Sequence, residues 1–339
     1  MSTLTLLLSR EHPTLPAAEV KAVLESEGFS YRVVHLNPPI MVVEVDLRAC
    51  KRLEERLAMT MEGFSLLFSC SPDLGDVLTH LRDLELNLPA ELSFAVRVLR
   101  KTPSVGLRSL DFERAMGEVI AKRTNAKVNL KKPDVLFRGV IADRFYFGVR
   151  VFTVKRGSFD LRRPRYRPFF HPGSMEPRVC RVFVNLARPR AGSVLLDPFS
   201  GTGGILIEAS MVGCHAIGVD IDGSMVQGSI VNLKSLNCQF LGVIRGDARM
   251  IPLREGSVDC IATDPPYGRS TSLKRVELAK LLARFMDEAP SAVKRDGHIC
   301  MAYPSWLDLD IPSDFRLVEE HDMKVHRSLT RRIVVLRRL

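Results

Sequence analysis

The chain has no apolar run long enough to cross a bilayer, no cysteine pair, no tandem repeat and a single tryptophan in 339 residues. A spanning helix needs about 20 apolar residues. The first apolar run, Leu4 to Leu8, gives way to Arg10, Glu11 and His12 without a small-residue cleavage site. The expectation is a soluble, non-exported, cytoplasmic protein with no membrane partner. The seven cysteines stand singly, none as C-x-x-C and none beside a paired histidine, which reads as reduced core residues and no metal.

What is present is ordinary globular material, 46% apolar and 26% charged, in a chain long enough for two or three domains. The net charge of +10 is concentrated. Residues 131–190 hold 15 Lys/Arg against 4 Asp/Glu, while the rest of the chain is close to neutral. Such a local excess suits a phosphate backbone, and the bland alternative is a solvated basic linker.

Three regions separate by pattern. Residues 1–70 alternate strand-like runs (Leu4–Leu8, Tyr31–Leu36, Met41–Val45, Phe64–Phe68) with helical ones (Ala17–Glu27, Leu47–Ala58), a β-α-β-β-α-β order that predicts a ferredoxin-like unit. Residues 71–155 carry their own alternation of helices and strands, expected to bury a separate α+β core. Residues 156–175 combine prolines and arginines with no apolar period and read as an extended basic linker. From residue 176 to 339, helices alternate with strands in the α/β, doubly wound sense. The last two runs, Arg316–Val325 and Arg332–Leu336, have no helix-length segment between them, so the parallel sheet should end in an antiparallel hairpin.

Two loops carry the chemistry. Strand Val194–Leu196 delivers Asp197 to the turn Pro198-Phe199-Ser200-Gly201-Thr202-Gly203-Gly204, and a helix follows at once. Glycines there permit positive φ and close approach of a ligand. The spacing is not G-x-G-x-x-G, and the leading acid suits a cationic, amine-bearing ligand better than a pyrophosphate. Asp220 ends the next strand, near the offset at which an acid meets ribose hydroxyls. Asp222 follows closely and is able to share that role. Asp247, after the third strand, is placed to face an adenine edge. The bland reading of these aspartates is helix capping and turns.

The second loop, Asp264-Pro265-Pro266-Tyr267-Gly268, resembles the D/N-P-P-Y/F/W signature of methyltransferases that act on an exocyclic amino group of a base. Such an amine is a poor nucleophile because its lone pair is delocalised into the ring. Acceptors at Asp264 and the Pro265 carbonyl can each take one N–H and aim the lone pair at a methyl donor. Pro266 stiffens the turn, Tyr267 offers a stacking ring, and Gly268 lets the backbone turn away. The plain alternative is a capped loop ending a strand.

With these motifs in place the resemblance extends along the chain. Phe94-Ala95-Val96-Arg97-Val98, Asp111-Phe112-Glu113-Arg114 and Val128 to Asp134 look like a THUMP domain, and the order of regions is similar to THUMP-containing tRNA guanine-N2-methyltransferases. Arg167 to Met175 and Val184-Asn185-Leu186-Ala187 look most like the archaeal position-10 type. The resemblance implies a class I, Rossmann-like methyltransferase domain that uses S-adenosylmethionine. It places Asp197 near the amino acid moiety, Asp220 at the ribose and Asp247 at the adenine amine. Phe199, Ser200, Gly201, Thr202, Gly203, Ile221, Ala248 and Asp264 complete the cofactor set, with His171, Ser174 and Met175 closing the pocket. It further implies that the THUMP region grips the tRNA acceptor end. Lys131, Lys132, Arg138, Arg156, Arg162, Arg163, Arg165 and Arg167 are the candidate RNA contacts.

Other readings stay open at this point: the sister enzyme for guanine 6 of tRNA, a DNA adenine methyltransferase, and an RNA-binding scaffold with a decayed site. The need for a small activating partner protein is likewise open. Trp306 is expected in the core, as are Phe112, Phe145, Tyr146 and Phe147, and Arg331, Arg332, Arg337 and Arg338 are expected to solvate a hairpin edge.

Overall fold

The computed structural model describes residues 2–102, 108–267, 272–327 and 329–339. Gly268 lies outside them. The chain divides into two compact units, one of residues 1–13, 29–54 and 60–154, the other of residues 14–28, 55–59 and 155–339.

The first unit is built on one eight-stranded sheet. Its strands are β1 (Ser2–Leu8), β2 (Tyr31–Asn37), β3 (Ile40–Val45), β4 (Thr60–Cys70), β5 (Ser93–Arg100), β6 (Lys127–Val128), β7 (Val135–Ile141) and β8 (Phe145–Thr153). They lie in the order β2-β3-β1-β4-β8-β7-β5-β6. The first four reproduce the antiparallel order of a ferredoxin-like unit. They do not form a separate body, because β4 continues into β8 along an antiparallel ladder from Glu62–Thr153 to Cys70–Phe145. Backbone pairing thus joins the regions that periodicity had set apart at residue 70.

Helices α3 (Leu74–Asp83) and α4 (Ser109–Thr124) cover an aromatic core of Phe94, Phe112, Phe137, Phe145 and Phe147. Phe112, Phe145, Tyr146 and Phe147 are all buried, as the sequence led us to expect. Cys70, Asp76 and His80 offer potential ligand atoms within 4.8 Å of one another, a cluster that spacing along the chain did not reveal.

The second unit includes α1 (Leu15–Ser26) and the end of α2 (Ala49–Arg56). Leu15, Ala18 and Ala22 of α1 join the same core as Cys180, Phe183 and Leu186 of α6 (Pro177–Leu186). Glu19, fully buried, accepts N–H bonds from Ala58, Met59 and the Asn185 side chain, each at 2.9 Å. An apolar face plus one satisfied buried acid explains why this helix resides here.

The segment 156–175 departs from the extended linker expected. It contains a one-turn helix α5 (Gly157–Asp160) and a 3-10 turn at Pro164–Tyr166, and buried groups pin it. Phe169 exchanges two 2.9 Å hydrogen bonds with Asn232, and its ring occupies the space where a Cβ on Gly228 would stand.

The sheet of this unit comprises β9 (Val194–Asp197), β10 (His215–Asp220), β11 (Phe240–Arg245), β12 (Val258–Thr263), β13 (Val293–Pro304), β14 (Phe315–His326) and β15 (Leu329–Arg338). The order is β11-β10-β9-β12-β13-β15-β14. The first five strands are parallel, and β13, β15 and β14 pair antiparallel, which is the terminal hairpin expected. Helices α7 (Gly204–Met211), α8 (Gly223–Ser235) and α9 (Ser272–Ala292) supply crossovers. In such a sheet ligands bind beyond the carboxyl ends of the strands, where the order reverses on either side of the first strand.

Candidate active site

A cavity of about 1160 Å³ opens there, walled by the tips of β9, β10 and β12, the segment after β11, residues 171–175 and one face of α9. Asp197 closes β9 and is buried. Its Oδ1 accepts Thr263 Oγ1 at 2.7 Å and the Phe199 N–H at 3.2 Å. Burial outweighs these bonds and pushes its carboxyl up to about 7.

The loop that follows turns through Gly201 (φ +48°) and Gly203 (φ +80°), conformations that side chains rarely adopt. Gly201 donates its N–H to Asp220 Oδ2 at 2.8 Å, and the second Asp220 oxygen accepts the Asp222 N–H at 2.9 Å. Asp222 caps α8 through Ser224 N at 2.8 Å, so the capping reading holds for it, although it also borders the cavity. Asp247 pairs with Arg249 at 2.6 Å, and that hydrogen-bonded partner holds its carboxyl below the usual range.

Asp264, one residue beyond β12, accepts the Tyr267 hydroxyl on Oδ1 and pairs with Arg331 Nη2 through Oδ2 at 2.9 Å. Burial raises its carboxyl above the ordinary value against the pull of both partners. The Arg331 guanidinium lies 5.2 Å from the centre of the Tyr267 ring. Arg331 stands opposite Pro304 in the β13–β15 ladder, so the hairpin expected only to solvate an edge delivers a cation to the Asp264–Tyr267 loop.

The cavity wall therefore brings together His171, Ser174, Met175, Asp197, Phe199, Ser200, Gly201, Thr202, Asp220, Ile221, Asp247, Ala248, Asp264 and Pro266. Ser174 and Thr202 hydroxyls meet at 3.0 Å, tying residues 171–175 to the glycine loop. Gly203 is not in the wall. A Cβ there would stand 2.4 Å from Ser229 Oγ, so its role is packing the loop onto α8. Pro265 and Tyr267 also lie off the wall, Tyr267 turned onto Asp264.

Three of the arginines assigned to RNA are corrected. Arg138 is buried against Glu62 at 2.7 Å, Arg162 chelates Glu208 at 2.8 and 3.1 Å, and Arg167 is buried; none presents its charge to a phosphate outside. Arg163 is partly engaged by Asp160 and Glu176, and Arg156 is half-buried. Lys131 and Lys132 are exposed on a turn whose N–H groups are held by the Asn129 side chain, and Arg165 is exposed over the Tyr166 ring.

Sequence reasoning missed the α9 wall, where Glu277, Lys280, Leu281, Arg284 and Asp287 share one helical face. Their three- and four-residue spacing was the available signal, but a charged stripe ordinarily reads as solvated. Trp306 is 42% exposed under the Arg275 guanidinium, not in the core.

Comparison with known proteins bears on the family and the fold. Residues 164–333 match the RMKL-like methyltransferase domain and residues 81–149 the THUMP domain. A tRNA (guanine(10)-N2)-dimethyltransferase from Methanothermobacter thermautotrophicus is 42% identical over 337 residues, covering 98% of each chain. One of the same name from Methanocaldococcus jannaschii is 34% identical, covering 98% of this chain and 99% of its own. The crystal structure of TrmN from Thermus thermophilus, 22% identical, superposes with a TM-score of 0.57 over 99% of this chain and 100% of that one, a likeness of fold. The fold and site define a THUMP-containing class I methyltransferase. Within that class the chain belongs to the tRNA (guanine(10)-N2)-dimethyltransferase family.

Proposed function

We propose that this protein methylates the N2 amine of guanine 10 in tRNA, twice, with S-adenosylmethionine as donor. The observation that carries the reading is that Asp264 of the D-P-P-Y loop and the acid-led glycine loop at Asp197 wall one cavity. Its volume of about 1160 Å³ exceeds the roughly 300–1,000 Å³ of a typical single-ligand pocket, leaving room for a base beside a cofactor.

The residues fit that cofactor. Ser200 Oγ is buried in the wall with no hydrogen-bond partner among the described residues, and the space beside Gly201 is open. Asp220 and Asp247 offer acceptors to hydroxyl and amine groups, and Asp197 offers a carboxylate to an ammonium. When bound, S-adenosylmethionine supplies an electrophilic methyl group on a sulfonium centre.

Asp264 and the Pro265 carbonyl accept the two N–H bonds of the guanine amine and draw its lone pair out of the ring. In the free protein the Tyr267 hydroxyl occupies Asp264 Oδ1, so arrival of the base exchanges one donor for another and frees the tyrosine ring to stack. The raised carboxyl of Asp264 suits it to take up the proton the amine loses. A singly methylated amine keeps one N–H, which a single acceptor suffices to orient, and this makes the second transfer feasible in the same site. Lys131, Lys132 and Arg165 supply phosphate contacts.

Incubation with labelled cofactor and tRNA transcript, followed by mass mapping, should place N2,N2-dimethylguanosine at position 10. Label at guanine 6 or on adenine would refute the assignment. Normal tRNA binding without cofactor binding would favour the scaffold reading.

A further inference from the structure

Trp306 is the only tryptophan of the chain, and the scheme above makes no use of it. Its side chain remains 42% exposed, although burying so large an apolar ring would stabilise the fold. The Arg275 guanidinium lies 4.8 Å from the ring centre, close enough for a cation–π contact that fixes the orientation of the indole. A ring held in place and left partly open to solvent is a surface prepared for a second flat group.

Its position says which group. Trp306 lies just beyond β13, where Ser305 donates its N–H to the Thr330 carbonyl and Leu307 donates to the Pro304 carbonyl, each at 2.9 Å. Pro304 pairs in turn with Arg331, whose guanidinium reaches Asp264. Arg275 belongs to the first turn of α9, which follows the D-P-P-Y motif along the chain. About half a turn of helix separates Arg275 from Arg284, so α9 shows one face to the cavity and holds Arg275 away from it. The pair thus stands at the carboxyl end of β13, beside the Asp264–Tyr267 loop and outside the cavity wall. Asp308, Asp310, Lys324 and Arg327 are exposed on the adjoining turns. Charge there is mixed, and the ring is what distinguishes the patch.

We infer that Trp306 is a stacking platform for an unpaired base of the RNA, that of a nucleotide next to the guanine presented to Asp264. This role rests on the tRNA reading proposed above. The guanine amine can reach a buried carboxylate only when its base leaves the helical stack, and that departure strips a stacking face from each neighbour. An aromatic ring replaces such a face without reading sequence, and a guanidinium plane beside the ring extends it. Trp306 thereby holds the flanking nucleotide apart from the gap left by the target. It acts on RNA and not on the methyl donor.

A lone tryptophan reports on itself. Titrating the full chain with an unmodified tRNA transcript should quench its emission saturably and shield the ring from acrylamide. Unchanged emission and shielding at saturating tRNA overturn the platform, and this measurement needs no variant. Trp306→Leu should lower kcat/KM for tRNA by roughly 5- to 150-fold, the scale of one base–aromatic stack. It should leave S-adenosylhomocysteine affinity and the melting midpoint as in the wild type, and Trp306→Phe should recover most of the loss. A loss of activity that tracks a lower melting midpoint makes the ring structural and overturns its contact with RNA. Removing the base at one or the other neighbour of the target guanine identifies the partner. At one of the two positions the wild type should lose activity and Trp306→Leu should lose nothing further; additive losses at both positions overturn the stack. Failure of the wild type to methylate any tRNA guanine overturns the proposed function itself, which is distinct from normal methylation with a silent tryptophan.

Discussion

The Arg331 guanidinium lies 2.9 Å from the Asp264 carboxylate, so the last strand of the chain holds the acid at the tip of β12, the fourth parallel strand. Both groups are largely buried, and the pair therefore acts in a medium where a lost partner is felt strongly. Without the cation only the Tyr267 hydroxyl opposes burial, and the Asp264 pKa rises further. Arg331→Leu should move the acid limb of the kcat/KM profile to higher pH and lower activity at pH 7 by roughly 10- to 1,000-fold, in the range of losing one preorganised contact. Arg331→Lys should keep most of the wild-type profile. A profile of unchanged shape in the Leu variant would refute the link.

Asp264→Ala should abolish methyl transfer, with a loss of at least about 100-fold, while cofactor affinity falls by no more than a few-fold. Calorimetry beside single-turnover kinetics separates the two. Equal losses in both would mean that Asp264 serves the cofactor and not the base.

Asp197 predicts a proton release. Its carboxyl is raised from 3.8 to about 7, so between these values the folded free protein holds a proton that the unfolded chain has lost. Stability from this group is therefore full at low pH and fades as pH rises through about 7. An ammonium bound beside Asp197 favours its ionised form, so cofactor binding at pH 6 should expel a proton. Titration in two buffers of different ionisation enthalpy measures it directly. An apparent enthalpy independent of buffer, or one equally dependent in Asp197→Asn, would contradict the assignment.

Arg162 of the 156–175 segment and Lys131 of the first unit should behave as opposites. Arg162→Ala breaks a buried pair with Glu208 and should cost about 3–5 kcal/mol in denaturant unfolding. Lys131→Ala should leave stability within about 0.5 kcal/mol. It should instead weaken tRNA binding and reduce the salt slope by about one. Reversal of these two outcomes would restore the basic-linker picture.

Much of the catalytic unit is legible in the sequence. The β9 and β12 tips announce themselves because a strand-like run ends in an acid, and glycine or proline then forbids an ordinary continuation. The terminal hairpin followed from a missing helix between β14 and β15. Pairing partners were less visible. Arg162 and Arg165 look alike in a basic segment, yet Arg162 meets an acid buried in α7, whereas Arg165 stays outside. A count of charges cannot tell them apart. For Arg331 the signal was present and unread: in an alternating strand it faces the site, while Arg332 faces Glu320 and Asp322. The eight-stranded sheet was hidden for a different reason, since ladders between distant strands leave no local period.

Glu19 and its neighbours on α1 set a limit on how this enzyme can be dissected. The chain visits the catalytic half twice, at residues 14–28 and 55–59, before it settles there at residue 155. A fragment begun at residue 155 would leave Asn185 without its acid and bare the flank of α6 that Leu15, Ala18 and Ala22 normally cover. The transferase half is consequently no portable cassette: grafting it onto another RNA-binding module requires carrying along a helix encoded far upstream.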